Sequence, residues 1–275
     1  MNQKKLEKIS NKVRRDVIKM VYRAGSGHIG GAFSIVEILV ALYFGGILKY
    51  HHYNPKWPAR DRFVLSKAHA CAALYSVLSR ASFFPKKELK TYRQINSLLQ
   101  GHSDRLKVEA IEFSAGALGQ GLSAALGMAL AAMLDNQNHR IYVLMSDGEQ
   151  QEGQTMEAMM FASHYKIDNL TAIVDVNGLQ IDGWTIEEMG GASLRRRYEA
   201  FGWYVMDIDG HNTEEIIESC EEAKNIHKKP VAILAHTIKG KGVSFMENSL
   251  KWHGKAPNNE EKQEALKELK ESYSK

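Results

Sequence analysis

Hydrophobic positions follow two patterns along the chain, one typical of helices and one typical of buried strands. Apolar residues recur at helical spacing from Leu6 to Val21 and predict an amphipathic opening helix that stops before Gly25. Short apolar runs rich in strand-forming residues predict buried strands. The predicted strands are residues 62–65, 140–145, 170–175, 203–208 and 230–235.

The segments between these runs predict helices, and Ser34 is the expected N-cap of the helix that follows it. Because strands alternate with helices, the pattern predicts a doubly wound α/β fold, with a mainly parallel sheet and helices on both faces. No composition break marks a second domain, so a single domain over residues 1–275 is expected. The predicted helices after the opening one are residues 35–44, 70–80, 83–96, 122–134, 152–165, 190–201, 214–227 and 259–273.

Composition narrows the class of protein. With 44% hydrophobic and 25% charged residues among 275, the chain has the composition of an ordinary globular protein. The net charge of +4, from 36 basic and 32 acidic residues, is too balanced to predict a nucleic-acid partner. The N-terminus lacks the apolar core of a secretory signal, and no stretch reaches the roughly 20 apolar residues of a membrane span. The spacing of Cys71 and Cys220 suggests no metal site and no disulfide, which favours a cytoplasmic location without membrane association.

Residues with candidate chemistry concentrate between residues 146 and 183. Asp147 and Gly148 directly follow the second predicted strand, and Asn177 follows the third. Because ligands bind at the carboxyl ends of parallel strands, Asp147 and Asn177 are expected to meet. Mg²⁺ takes carboxylate, amide and carbonyl oxygens. Asp147 would supply the carboxylate oxygen, Asn177 the amide oxygen and Leu179 the carbonyl oxygen. Gly148 allows a phosphate to approach the backbone closely. Residues 146–183 therefore predict a Mg²⁺–diphosphate site.

Several other polar turns contain histidine or glycine. His28 lies in SGHIGG, His69 follows the first predicted strand, and His102 lies in QGHSD. Taken alone, His28 also fits a capping or surface histidine. The glycine-rich loop at residues 115–121 fits a phosphate or ring contact and fits tight helix packing equally well.

The Asp-Gly, helix, Asn-Gly order resembles the thiamine-diphosphate motif, and DGEQQEG with NGLQIDG resembles the transketolase family. Six segments keep the family's order and cover nearly the whole chain. The resemblance is closest to the N-terminal half of transketolase and implies the diphosphate-type domain of the thiamine-diphosphate-binding fold. The segments are SGHIGG, LSKAHA, LQGHSD, SAGALGQG, the SDG to DVNGLQIDG stretch, and HTIKGKG with WHG.

The resemblance also implies how the cofactor is bound. Mg²⁺, with Ca²⁺ or Mn²⁺ as substitutes, would be held by Asp147, Asn177 and the Leu179 carbonyl. Thiamine diphosphate would contact a larger set of residues. That set comprises His69, Gly116, Ala117, Leu118, Asp147, Gly148, Glu149, Asn177 and His253.

Substrate and catalytic residues follow from the same resemblance. His28, His102 and His253 would face the sugar, and Lys239 or Lys241 would come from a loop that closes over the site. Four histidines suit proton transfer because the unperturbed imidazole pKa lies near neutrality. One or two of them would have only an orienting role under the alternative interpretation. These catalytic candidates are His28, His69, His102 and His253, together with Glu152, which with Glu157 would lie at the subunit interface on the path between cofactors.

The implied reaction is transfer of a two-carbon ketol unit from a ketose to an aldose. Xylulose 5-phosphate and ribose 5-phosphate, of the pentose phosphate pathway, are the family's default sugars, and unusual or branched sugars stay open. Three residues depart from the family pattern: Ser146 and Ala68 replace glycines, and Ala117 replaces a proline. Ser146 would either crowd the diphosphate or donate a hydrogen bond to it.

Length is the larger departure, because transketolases need a pyrimidine-binding domain and the sequence has none after Lys275. The chain is therefore expected to be one half of a split enzyme, inactive alone and assembled into an α2β2 heterotetramer with a C-terminal subunit. Two alternatives remain at this stage. One is the α subunit of a 2-oxoacid dehydrogenase, and the other is a non-catalytic assembly subunit.

Overall fold

A computed structural model describes residues 1–189 and 193–272, and within them five parallel strands form one sheet. The strand order is β1–β2–β3–β5–β4, so β5 lies between β3 and the edge strand β4. The predicted α/β fold with a parallel sheet is confirmed, and each predicted strand is present within one residue. The strands are β1 (Arg62–Leu65), β2 (Ile141–Ser146), β3 (Leu170–Val176), β4 (Tyr204–Asp209) and β5 (Val231–His236).

Each face of the sheet packs against its own hydrophobic core. Because successive side chains of a strand point to opposite faces, each central strand contributes to both cores. In β2, Tyr142 and Leu144 belong to one hydrophobic core, whereas Val143 and Met145 belong to the other. The central strands are therefore continuous apolar runs. This explains why the sequence shows unbroken hydrophobic segments here and not the alternation of a half-exposed sheet.

Helices cover the two faces unequally. The first core is covered by α1, α3, α4, α9 and α10, and the second by α5, α6 and α8. The opening helix ends where predicted, at Gly25, whose φ of 64° is the left-handed conformation that glycine adopts readily. The helices are α1 (Gln3–Ala24), α2 (Ile29–Phe33), α3 (Val36–Phe44), α4 (Cys71–Arg80), α5 (Gln120–Leu134), α6 (Gly153–His164), α7 (Thr185–Glu188), α8 (Leu194–Ala200), α9 (Thr213–Asn225) and α10 (Asn259–Glu271).

The structure corrects three local predictions. Ser34 does not cap a helix, because its hydroxyl donates to the Asp175 carboxylate at 2.7 Å and lies 3.1 Å from the Gly31 carbonyl. Residues 29–33 form the short helix α2, which the glycine content of SGHIGG concealed. The 83–96 segment contains only the 3-10 turn Lys86–Thr91, because residues 93 and 96 adopt positive φ angles that end helical structure.

Two predicted helices extend beyond what the structure describes. The helix expected over 190–201 is observed as α8, and residues 190–192 lie outside the described residues. The terminal helix expected to reach Tyr273 is observed as α10, and residue 273 is likewise outside them. Among the described residues, no helix is long and apolar enough to cross a membrane.

Candidate active site

Asp147 and Asn177 follow the neighbouring strands β2 and β3, which pair in register with Ser146 opposite Asp175. The Asp147 carboxylate accepts hydrogen bonds from the Gly148 amide at 2.8 Å and from the Gly178 amide at 2.6 Å. The second of these donors directly follows Asn177. The Asp147 carboxylate therefore lies against the residue that follows Asn177, at the carboxyl edge of the sheet, where the strand ends predicted the two residues to meet.

These residues form the floor of a cavity of about 390 Å³. Helix α2, the end of β1, the glycine-rich loop and the loop after β5 supply its other walls. The residues that line it are His28, Gly31, Lys67, His69, Gly116, Leu118, Ser146, Asp147, Gly148, Gln151, Glu152, Asn177, Leu179, Gln180, Ile181, Asp182, Lys239 and His253.

Beneath the floor lies a buried ion pair that the sequence analysis missed, between Lys67 and Asp175. Asp175 also accepts hydrogen bonds from Thr237, from Ser34 at 2.7 Å and from the Asn177 amide nitrogen at 2.9 Å. Burial disfavours ionisation of Asp175, but the Lys67 ammonium and these hydrogen bonds outweigh it and lower the pKa. Because the Asn177 side-chain amide donates an N–H to Asp175, the Asn177 amide oxygen is turned away from the Asp175 carboxylate.

Asp147 differs because no ammonium or guanidinium contacts it within the described residues. Burial, and secondarily the nearby negative charge of Asp175, raise the pKa of Asp147 to about 6. The two backbone amides offset this only in part. A buried carboxylate beside the amide oxygen of Asn177 and the Leu179 carbonyl is a set of hard oxygen donors, and it fits a Mg²⁺ ion.

Carboxylates are sparse in this donor set. Residues 1–189 and 193–272 contain no cluster of three His, Cys, Asp or Glu side chains that could hold a metal. The set at Asp147 contains one carboxylate and two neutral oxygens. Such a set is suited to an ion whose coordination is completed by phosphate oxygens.

Lys239 extends into the cavity, whereas Lys241 does not line it. The Lys239 ammonium lies 3.3 Å from the Leu179 carbonyl and 2.9 Å from Nδ1 of His253. Burial, followed by the charge of Lys67, lowers the pKa of Lys239 to about 8. Lys241 is partly exposed and lies 3.9 Å from Glu247. Of the two alternatives, the structure brings only Lys239 to the site.

The four predicted histidines cluster around His28, but only His28, His69 and His253 line the cavity, and His102 lies next to His28 outside that lining. The His28 ring lies 5.4 Å from His69, 6.1 Å from His102 and 5.5 Å from His253, measured between ring centroids. His69 and His253 are 5.6 Å apart. Gly31 makes room for this arrangement, because a Cβ there would lie 3.2 Å from Nε2 of His69.

The surroundings of these rings favour the neutral imidazole. Burial, together with the cations Arg93 and Lys239 and the charged form of His102, lowers the pKa of His28 to about 4. Burial and Lys239 lower the pKa of His253 to about 4 as well. The pKa of His69 is also well below its ordinary value, again mainly through burial. Nδ1 of His28 is buried and has no hydrogen-bond partner among residues 1–189 and 193–272.

Glu149 is directed into the protein and does not line the cavity. Its carboxylate accepts from Ser66, from the Gly119 amide at 2.8 Å and from the Ser146 amide at 3.1 Å. It thereby fixes the glycine-rich loop against the end of β2. Contact between Glu149 and a cofactor would have to use its main chain, because its carboxylate oxygens are occupied.

The remaining predicted residues occupy the edge of the site or the outer surface. Gly116 and Leu118 line the cavity and Ala117 lies exposed between them. Glu152 is exposed at the cavity rim. Glu157 lies away from the cavity, beside an apolar groove of about 310 Å³ between α5 and α6.

Comparison with known proteins agrees with this geometry. Residues 5–273 match the family described as the thiamine diphosphate-binding domain of transketolase. The chain belongs to the transketolase family. It is 44% identical over 270 residues to one of the subunits of the apulose-4-phosphate transketolase of Phocaeicola vulgatus, covering 98% of this chain and 95% of that protein.

Other transketolases extend the comparison. A 6-deoxy-6-sulfo-D-fructose transketolase subunit of Clostridium sp. is 45% identical over 248 residues, which are 90% of each chain. The crystal structure of Campylobacter jejuni transketolase superposes with a TM-score of 0.92 at 36% identity. That match covers all of this chain and 43% of the Campylobacter transketolase, so the chain spans less than half of such long transketolases.

Proposed function

We propose that this chain is the N-terminal, diphosphate-binding subunit of a two-chain transketolase. The observation that carries the proposal is the buried Asp147 carboxylate, which lacks a cationic partner among the described residues and shares its cavity with Asn177 and with His28, His69 and His253. Two relatives of similar length are named as transketolase subunits, which supports a division of the enzyme between chains.

The cofactor we propose is thiamine diphosphate with Mg²⁺. When bound, it would supply the carbon–carbon bond chemistry of ketol transfer. Asp147, Asn177 and the Leu179 carbonyl would hold the metal. Gly148, which lines the cavity directly after Asp147, would lie against the diphosphate. Lys239 would add positive charge at the same end of the cavity.

The histidines would bind the sugar hydroxyls and move protons between them. A neutral imidazole has one donor and one acceptor nitrogen, so it can give a proton at one position and take one at another. The lowered pKa values of His28 and His253 keep both rings neutral at pH 7. His28, which lines the cavity, is the residue we propose to contact a substrate hydroxyl directly.

Exposed apolar side chains indicate where partner chains would bind. Ile181, Trp184, Ile186 and Met189 are exposed on the loop that borders the cavity. Such a patch is typical of a protein–protein interface, and we propose that the pyrimidine-binding subunit covers it. A second patch, on α5 and α6, would pack against a second copy of this chain to give an α2β2 assembly. That patch comprises Met133, Leu134, Met160, Phe161 and Tyr165.

For the substrate we propose a ketose with an anionic group at its far end. The two relatives are named for a sugar phosphate and for a sulfonated sugar. Both names describe a donor with a negative group remote from the carbons that are transferred. Phosphorylated aldoses are the corresponding acceptors.

The test is reconstitution with a C-terminal transketolase subunit, for which the product of the adjacent open reading frame is the first candidate. We expect ketol transfer from a ketose phosphate or sulfonate to an aldose phosphate only when both chains, Mg²⁺ and thiamine diphosphate are present. Turnover of pyruvate with a lipoyl acceptor would instead establish a 2-oxoacid dehydrogenase. Assembly without turnover of either substrate type would establish a non-catalytic subunit.

A further inference from the structure

Arg93 lies outside the cavity lining, near His28, which lines the cavity, and near His102, which does not. Its φ of 58° is in the left-handed region, which a non-glycine residue adopts at an energetic cost and keeps where its surroundings hold it. Its amide donates to the Leu99 carbonyl at 2.9 Å. No carboxylate pairs with its guanidinium among residues 1–189 and 193–272, so its charge serves no ion pair there.

The Arg93 guanidinium instead links two loops. Nη1 donates to the Ser26 hydroxyl at 3.1 Å, and Nη2 donates to the Gly101 carbonyl at 3.4 Å. Ser26 lies two residues before His28, and Gly101 directly precedes His102. A Cβ on residue 101 would lie 2.8 to 2.9 Å from three guanidinium atoms, so this contact requires glycine there.

The loop that contains His102 is held by its backbone. The Tyr75 hydroxyl lies 3.0 Å from the Gln100 carbonyl and 3.3 Å from the His102 carbonyl. The Cys71 thiol donates to the Gly101 carbonyl at 3.2 Å. Because these contacts use carbonyl groups alone, the His102 ring remains free to project towards His28.

We propose that Arg93 is a positioning residue that fixes His28, which lines the cavity, and the neighbouring His102 relative to each other. Their ring centroids lie 6.1 Å apart, and Arg93 bridges the segments that contain them. Arginine directs donors from two separate nitrogens of a rigid planar fork, one to each loop, whereas lysine has a single nitrogen at the end of a flexible chain. The catalytic consequence rests on the proposed function, whereas the coupling of the two loops does not.

The charge of Arg93 gives the proposal a second readout. After burial, Arg93 is the largest influence that lowers the pKa of His28, and it also lowers the pKa of His102. The other groups that face His28 are His102 and Lys239, with the rings of His69 and His253 in contact. Replacing Arg93 with a neutral residue should therefore raise both histidine pKa values.

The experiment compares Arg93→Lys, Arg93→Met and the surface control Lys87→Met in the full chain. Hydrogen exchange of residues 25–31 and 99–103 should accelerate about tenfold in both Arg93 variants and remain unchanged in the control. NMR titration should show raised His28 and His102 pKa values in Arg93→Met and nearly native values in Arg93→Lys. Gly101→Ala should reproduce the exchange pattern of Arg93→Lys, because its methyl group displaces the guanidinium.

Native exchange rates in Arg93→Lys would overturn the proposal, as would acceleration spread evenly over the chain. In the reconstituted complex, Arg93→Lys should lower kcat roughly tenfold while leaving the acid limb of the pH profile in place. Arg93→Met should move that limb to higher pH. If the complex shows no ketol transfer at all, the proposed function fails, while exchange and titration still decide whether Arg93 couples the loops.

Discussion

Asp175 and Asp147 lie at the ends of neighbouring strands, and both are buried, but their surroundings are opposite. Asp175 is paired with Lys67 and accepts three further hydrogen bonds, and its pKa is lowered. Asp147 accepts only two backbone amides among the described residues, and its pKa is raised to about 6. The chain pairs one carboxylate with a cation of its own, whereas the other is the carboxylate that we propose binds a metal ion. We therefore expect Asp175 to contribute to stability and Asp147 to contribute to ligand binding.

Removing the paired carboxylate should have the largest effect. Asp175→Asn should lower the free energy of unfolding by about 3–5 kcal/mol, because Lys67 would be left as a buried charge without a partner. Urea denaturation at pH 7 measures this loss. Asp207→Asn, which breaks the exposed pair with Arg195, should cost less than about 1 kcal/mol. Equal losses of unfolding free energy in the two variants would mean that the buried Lys67–Asp175 pair stabilises the fold no more than the exposed pair does.

The second prediction concerns the unpaired carboxylate. Asp147→Asn should weaken binding of Mg²⁺–thiamine diphosphate at least about 100-fold, because it removes the only charged oxygen of the proposed metal site. Isothermal titration calorimetry measures the affinity. Asp182→Asn makes the same charge change at the exposed rim of the cavity and should stay within about threefold. An affinity that survives Asp147→Asn would contradict the assignment.

The same substitution should have the opposite effect on stability when no cofactor is present. Folding raises the pKa of Asp147 from 3.8 to about 6, so its stabilising contribution is full below pH 4 and is lost as the pH rises through 6. Asp147→Asn should therefore stabilise the chain by about 1–2 kcal/mol at pH 7.5, after allowing for a lost backbone hydrogen bond. Urea denaturation at pH 7.5 and 4 should show this gain disappearing at the lower pH. A loss of stability at pH 7.5 would refute the contrast with Asp175.

The smallest effect concerns the two lysines of the loop after β5. Lys239→Met should weaken diphosphate binding about tenfold, because the buried ammonium lies at the Leu179 carbonyl. Lys241→Met should change the affinity less than about twofold, since Lys241 is partly exposed beside Glu247. Titration of both variants with thiamine diphosphate provides the measurement. A larger loss of affinity in Lys241→Met than in Lys239→Met would mean that Lys241, and not Lys239, contacts the diphosphate.

The sequence allowed Asp147 and Asn177 to be predicted together because each follows a clear apolar strand, and adjacent parallel strands end at one edge. The four histidines could not be brought together in this way. They lie in loops without periodicity, and only the resemblance to transketolases predicted their convergence. The same lack of periodicity left Lys239 and Lys241 as equal alternatives.

Other features were hidden by local composition. Asp175 closes an apolar run and has the pattern of an ordinary strand end, although an acid inside such a run is itself a signal of a buried partner. The inward direction of Glu149 depends on Ser66 and Gly119, which are distant in sequence. Neither contact can be derived from spacing, because both form only once the glycine-rich loop packs against β1 and β2.

The position of a bound metal ion would test the proposed role of Asp147 most directly. Crystals grown with Mn²⁺ and thiamine diphosphate should show one anomalous peak within about 2.3 Å of both the Asp147 carboxylate and the Asn177 amide oxygen, with diphosphate oxygens completing its coordination. A peak that contacts Asp175 and not Asp147, or no peak in the cavity, would contradict the claim that Asp147 is the carboxylate reserved for a cation.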